Sequence, residues 1–159
     1  MTQEKLSRRA ALIGGATLLA TTTLPASVRG AAMAIHVLKD PNCGCCSAWI
    51  NILKRDGFDV TVEEMSGMAL ARFKLENGIP QDMSSCHTAR IQQYMIEGHV
   101  PTADIRRLLE TRPDAIGLAV PGMPYGSPGM GPESEREAYD VILIRRDGRT
   151  EIFTHYKAA

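Results

Sequence analysis

The sequence predicts an α/β sandwich: a mixed sheet, parallel at its start and antiparallel at its end, with flanking helices. Three observations predict it. From Ile35 onward, short apolar or alternating runs recur between segments of helical periodicity. The last two runs, Tyr139 to Arg145 and Thr150 to Tyr156, flank Asp147-Gly148, a strong hairpin signal. Hydrophobic content is 44%, enough for one core in a chain of 159 residues.

The first part of the chain does not read as fold. Lys5, Arg8 and Arg9 form a positive start. The run from Ala10 to Leu24 is uncharged and mildly apolar, and small residues follow Pro25. This is the layout of an export signal, and the run is shorter than the ~20 residues that span a bilayer comfortably. Ser7-Arg8-Arg9-Ala10-Ala11-Leu12 resembles a twin-arginine signal. We therefore expect residues 1–34 to be a twin-arginine-like export signal, cleaved among Ala26 to Ala34, and residues 35–159 to be the functional domain. Localisation to the periplasm follows, with no permanent membrane anchor. Without residues 1–34 the chain is slightly acidic, and it has no basic patch interleaved with aromatics, which argues against nucleic-acid binding.

Along the domain, Ile35-His36-Val37-Leu38 reads as a strand stopped by Asp40-Pro41-Asn42. A helix from Cys45 to Arg55 follows, with Cys45, Trp49, Ile52 and Leu53 on one face and Cys46 and Ile50 beside them. Phe58 to Glu64 alternates as a half-buried strand. Ser66 caps a second helix, whose apolar face is Ala69, Leu70 and Phe73 and whose stop is Asn77-Gly78. After a loop from Ile79 to Ser85, the segment from Ile91 to Ile96 reads as a single third strand. Pro101 opens a third helix, with Thr102 as its cap, Asp104 at its positive end, and an apolar stripe of Ile105, Leu108 and Leu109. Ala115 to Val120 is a further apolar run. Residues 121–132 hold four prolines and four glycines, too many for regular structure.

All four cysteines lie in two places: Cys43-Gly44-Cys45-Cys46 and Ser85-Cys86-His87. The first sits between the first strand and the first helix. A Cys-x-x-Cys pair (Cys43, Cys46) at that point of such an element order fits a thioredoxin-like fold. Backbone N–H groups at a helix start stabilise a thiolate, which suits both disulfide exchange and soft-metal binding. An even cysteine count in an exported chain is also compatible with two disulfides. The extra Cys45 favours a metal, because a redox pair needs two thiols, whereas a soft ion gains from each added thiolate. Cu(I) takes two or three such ligands and Zn(II) four. Cys43, Cys45, Cys46 and Cys86 are thus candidate ligands for Cu(I), one ion or several, with zinc as a lesser alternative.

Four motifs carry a family resemblance: Asn42-Cys43-Gly44-Cys45-Cys46, Ser85-Cys86-His87-Thr88, Ile96-Glu97-Gly98-His99-Val100-Pro101, and Gly117 to Met130 with its Pro-Gly-Met repeats. They occur in order across nearly the whole domain, and the chain resembles the CopG-like family of small exported metal-binding proteins. The resemblance implies a thioredoxin-like fold, a periplasmic location, a role in copper resistance or homeostasis, and the four cysteines as copper ligands. The partners expected are copper ions and a periplasmic copper-handling protein. The alternative reading is a thiol–disulfide or copper-linked oxidoreductase using Cys43 and Cys46.

Further candidates are His87, next to Cys86, and His99, before a Val-Pro pair where thioredoxin-like folds often place a cis-proline. Met123 and Met130 in the Pro/Gly segment, and Met83 before Cys86, are candidate thioether ligands. His36 and His155 read as surface residues and Trp49 as core.

Overall fold

The computed structural model describes residues 33–159, and the expected export signal lies, except for Met33 and Ala34, outside the described residues. The elements in chain order are β1 (Met33–Lys39), α1 (Gly44–Arg55), β2 (Phe58–Glu64), α2 (Gly67–Glu76), β3 (His87–Ile91), β4 (Tyr94–Gly98), α3 (Thr102–Thr111), β5 (Ala115–Val120), β6 (Tyr139–Arg145) and β7 (Thr150–Tyr156), with short 3-10 turns at Gln81–Met83 and Glu133–Glu135. The seven strands form one sheet in the order β2-β1-β3-β4-β5-β6-β7. Two parallel pairings, β1 with β2 and β4 with β5, each span a helix. The remaining pairs are antiparallel. The mixed α/β architecture expected from the sequence is what the chain adopts.

Side-chain alternation along the strands feeds two cores. Ile35, Val37, Tyr94, Ile96, Leu118, Val141 and Leu143 meet the apolar faces of α1 and α3. Met95, Ala119 and Ile144 point the other way and pack with Ile79, Phe73 of α2 and Met83. The central strands are covered on both faces, which is why β4 is buried at every position.

Three sequence expectations need correction. The segment 91–96 is not one strand: a hairpin folds there, β3 turning into β4 through Gln92-Gln93. The alternation runs straight through that turn without Gly, Asn or Asp to mark it, yet Gln92 adopts a positive φ of 51°. Thr102 does not cap α3; it is the first residue of the helix, preceded by Pro101, and its hydroxyl donates to Asp56 Oδ2 at 2.6 Å. On α1 the buried stripe is Cys46, Trp49, Ile50 and Leu53, not a stripe led by Cys45. A rotation of about 100° per residue carries Cys45 off the core face, and this leaves it free to face the rest of the cysteine cluster.

Register places the site. Lys39 of β1 pairs with His87 of β3, and Thr88 of β3 pairs with Glu97 of β4. The loop leaving β1, the loop entering β3 and the loop leaving β4 therefore emerge side by side at one end of the sheet. They carry Cys43, with Cys45 and Cys46 just beyond it in the first turn of α1, Cys86 and His99 respectively.

Candidate metal centre

Cys43 stands at the N-cap of α1 in extended conformation, and its N–H donates to Asp40 O at 3.1 Å. Among the described residues no side chain caps this helix, so its first N–H groups and positive dipole end face the cysteines. Cys46, in the first turn, is fully buried, whereas Cys43 and Cys45 are half-buried. Cys43 and Cys46 are joined by a disulfide. Cys45 and Cys86 are free thiols. Of the two disulfides compatible with the cysteine count, one is formed.

The four sulfurs form one cluster. Cys45 Sγ is 3.5 Å from Cys43 Sγ and 3.8 Å from Cys86 Sγ. All four Sγ atoms lie within 4.8 Å of one another. Two thiolates about 2.3 Å from a shared tetrahedral ion stand about 3.8 Å apart. The spacing and softness of the donors thus fit a thiophilic ion, once reduction of the Cys43–Cys46 bond frees all four.

Cys86 also anchors a second group. His87 Nδ1 and His99 Nε2 each lie 3.3 Å from its Sγ. Both imidazoles are fully buried. Burial holds the His87 pKa well below its ordinary value, with His99 and Lys74 adding to the effect, and lowers that of His99 as well. Both rings are therefore neutral at neutral pH and offer lone pairs. His99 Nδ1 is 2.8 Å from Pro128 O, an acceptor only, so Nδ1 carries the proton and Nε2 turns its lone pair toward Cys86. His87 packs on the Trp49 ring, 4.4 Å between centroids, and edge-on to His99 at 5.0 Å. Trp49 is itself pinned by Nε1–H donating to Val100 O at 2.9 Å. Among the described residues the Nε2 of His87 has no hydrogen-bond partner.

Burial, followed by the charge of Cys45, pushes the Cys86 thiol up to about 12. Cys86 is thus a protonated thiol at neutral pH. An ion bound there must displace that proton, so metal uptake releases protons and strengthens as pH rises. Apparent affinity should rise about tenfold per pH unit for each proton released. Chelator competition repeated across about two pH units checks this; a flat profile would count against Cys86 as a ligand.

The residues singled out in the sequence separate clearly. The four cysteines, His87 and His99 converge. His36 pairs with Glu63 at 3.0 Å and His155 with Asp140 at 2.7 Å, both at the surface as expected. Met83 packs under the sheet beside Ile79 and Met95. Met123 is exposed with a positive φ of 51°, and Met130 is half-buried with its N–H bonded to Ser127 O. The peptide bond before Pro101 is trans. Sequence reasoning missed Lys74 and Glu97, a buried ion pair at 2.6 Å beside the Cys86 loop. Its signals were a lysine four residues after Leu70 on a helix face that turns inward, and a glutamate ending the apolar run of β4.

The chain is similar to proteins already described. A family described as protein of unknown function, DUF411, matches residues 83–130, which include Cys86, His87 and His99. No curated protein sequence matches significantly. Two solved structures do. "Copper resistance protein copG- Form 1" is 44% identical with a TM-score of 0.74, the match covering 80% of this chain and 99% of that one. "Copper resistance protein copG- Form 2" is 44% identical with a TM-score of 0.73, covering 79% of this chain and 98% of that one. Identity at that level, over nearly the full length of the solved chains, makes this protein a member of the CopG-like family.

Proposed function

We propose that this protein is a periplasmic copper-binding protein that holds Cu(I) on Cys43, Cys45, Cys46 and Cys86 and serves copper resistance or homeostasis. The observation that carries the reading is the approach of four Sγ atoms to within 4.8 Å of one another at a helix N-terminus. Four thiolates in that space accommodate one Cu(I) or, by sharing sulfurs, several. His99 and His87 stand against Cys86 as neutral nitrogen donors. Copper is the cargo, sequestered or passed to a periplasmic copper-handling protein. The names of the solved relatives support copper over zinc. Among the described residues no helix is long and apolar enough to cross a membrane.

Anaerobic titration of the reduced protein with Cu(I), against a colorimetric Cu(I) chelator, tests the reading. At least one equivalent should bind and resist competition by Zn(II). Absence of Cu(I) binding, or displacement of copper by zinc, would overturn it. The location rests on the Ser7-Arg8-Arg9 motif. Changing Arg8-Arg9 to Lys-Lys should abolish export of the folded protein, read by periplasmic fractionation; continued export would refute the twin-arginine route.

A second reading is favoured by one observation, the Cys43–Cys46 disulfide at the start of α1. It makes the site a thioredoxin-like redox corner, with Cys43 and Cys46 exchanging disulfides or coupling their oxidation to bound copper. Insulin reduction lost in Cys43→Ser and retained in Cys45→Ser would support disulfide exchange over cargo binding.

A further inference from the structure

Cys86 lies one residue outside the sheet. The β1–β3 ladder ends at the Lys39–His87 pair, so no strand pairing orders the residues just before it. Yet the Cys86 Sγ must sit between Cys45 and two imidazoles to within a few tenths of an ångström. Something other than the sheet holds that loop.

Two buried charges do so through Ser85. Glu97 Oε1 accepts the Ser85 N–H at 2.6 Å. Lys74 Nζ donates to Ser85 O at 2.5 Å and to Glu97 Oε1 at 2.6 Å. Both main-chain groups of the residue preceding Cys86 are therefore held by one ion pair. The pair is deeply buried, with side-chain exposures of 5% for Lys74 and 0% for Glu97. On the remaining side, the backbone of Gly98 presses against Ser85: a Cβ on Gly98 would fall 2.6 Å from Ser85 Oγ and 2.6 Å from Val120 O. Gly98, at φ 71°, is the last residue of β4, where the chain leaves the sheet toward His99.

Desolvating two charges is costly, and apolar residues of similar volume generally stabilise a fold as well or better. A buried ion pair is therefore weak evidence for a stabilising role. Its placement points elsewhere. Lys74 comes from the last turn of α2 and Glu97 from β4, so the pair ties two elements to the loop of a third.

We infer that Lys74 and Glu97 are positioning residues, which clamp Ser85 so that Cys86 is presented to the cysteine cluster and to His99. This rests on the copper-binding reading for its consequence but not for its geometry. The clamp acts where a hydrogen-bonded outer partner acts at other metal sites, and loss of such partners typically weakens binding 10–100-fold.

The test uses two double variants, each free of a lone buried charge. Lys74→Met/Glu97→Leu removes the ion pair's bonds to Ser85. Lys74→Met/Glu97→Gln keeps an acceptor for the Ser85 N–H. Three quantities are read: melting temperature, Cu(I) affinity by chelator competition, and the alkylation rate of Cys86 relative to Cys45 in reduced, metal-free protein, mapped by mass spectrometry. The Leu variant should lose about tenfold or more in affinity, and its Cys86 should alkylate about tenfold faster while Cys45 is unchanged. The Gln variant should recover part of both. Wild-type affinity together with a wild-type Cys86 rate in the Leu variant would overturn the inference. So would a fall in affinity with Cys86 reactivity unchanged, because the effect would then not pass through Cys86. If the Leu variant does not fold, the Gln variant is held to the same criteria. If the wild-type protein binds no Cu(I), the copper reading fails, and the alkylation ratio alone decides the clamp.

Discussion

Replacement of Cys45 by Ser should lower Cu(I) affinity by about 100-fold or more while leaving the melting temperature within a few degrees of wild type. Cys45 joins the two cysteine stretches: its sulfur is 3.5 Å from Cys43 Sγ and 3.8 Å from Cys86 Sγ, whereas Cys46 turns into the core. Removing it separates a helix-start pair from a loop thiol. Serine substitutes a harder donor of similar size, so a soft ion loses a ligand without a cavity opening. The factor exceeds the 10–100-fold typical of outer partners because a direct ligand is lost. Cys45 is half-buried and off the apolar stripe of α1, so the core does not register the change. Chelator competition and a thermal melt on the same sample check both halves. Unchanged affinity and copper stoichiometry would remove the third cysteine from the centre and leave a two-cysteine redox site.

Replacement of Trp49 by Ala should cost about 3–5 kcal/mol of folding stability, and the melting temperature should fall by about 10 °C or more. Trp49 is fully buried in the main core, and its indole N–H satisfies Val100 O. Truncation opens a large cavity and leaves a buried carbonyl unpaired. The same ring backs His87 at 4.4 Å. The variant should therefore also bind copper more weakly at temperatures where it remains folded. Trp49→Phe, which restores most of the volume but not the N–H, should recover most of the stability. Denaturant unfolding of the three proteins measures this; a loss below about 1 kcal/mol for Trp49→Ala would show that the α1–sheet core tolerates the void.

Most helices and strands were legible because each is set by local pattern. Phe58 to Glu64 and the hairpin around Asp147-Gly148 fall where alternation and turn chemistry place them. Ser66 caps α2 as its residue type predicts, its Oγ accepting the Ala69 N–H. The β3–β4 turn was not legible, because Gln92 and Gln93 carry no turn signature and the surrounding ladder imposes the turn. The cysteines were legible as candidate ligands from softness and clustering alone. Their grouping with His87 and His99 had only sequence proximity and a Val-Pro neighbour behind it.

By itself, the sequence determined the mixed α/β class, the helix-start position of Cys43 to Cys46, the soft character of the donors and the family. Each follows from chemistry within a few residues. Tertiary structure decided which partners meet. Strand register, a property of pairing between distant segments, sets Cys86 and His99 beside Cys45. Helix rotation decides that Cys46 enters the core and Cys45 faces the cluster. Burial leaves His87 and His99 neutral, and pairs Lys74 with Glu97 across 23 residues of chain. Exclusion of water by residues far apart in the chain is what no local pattern encodes.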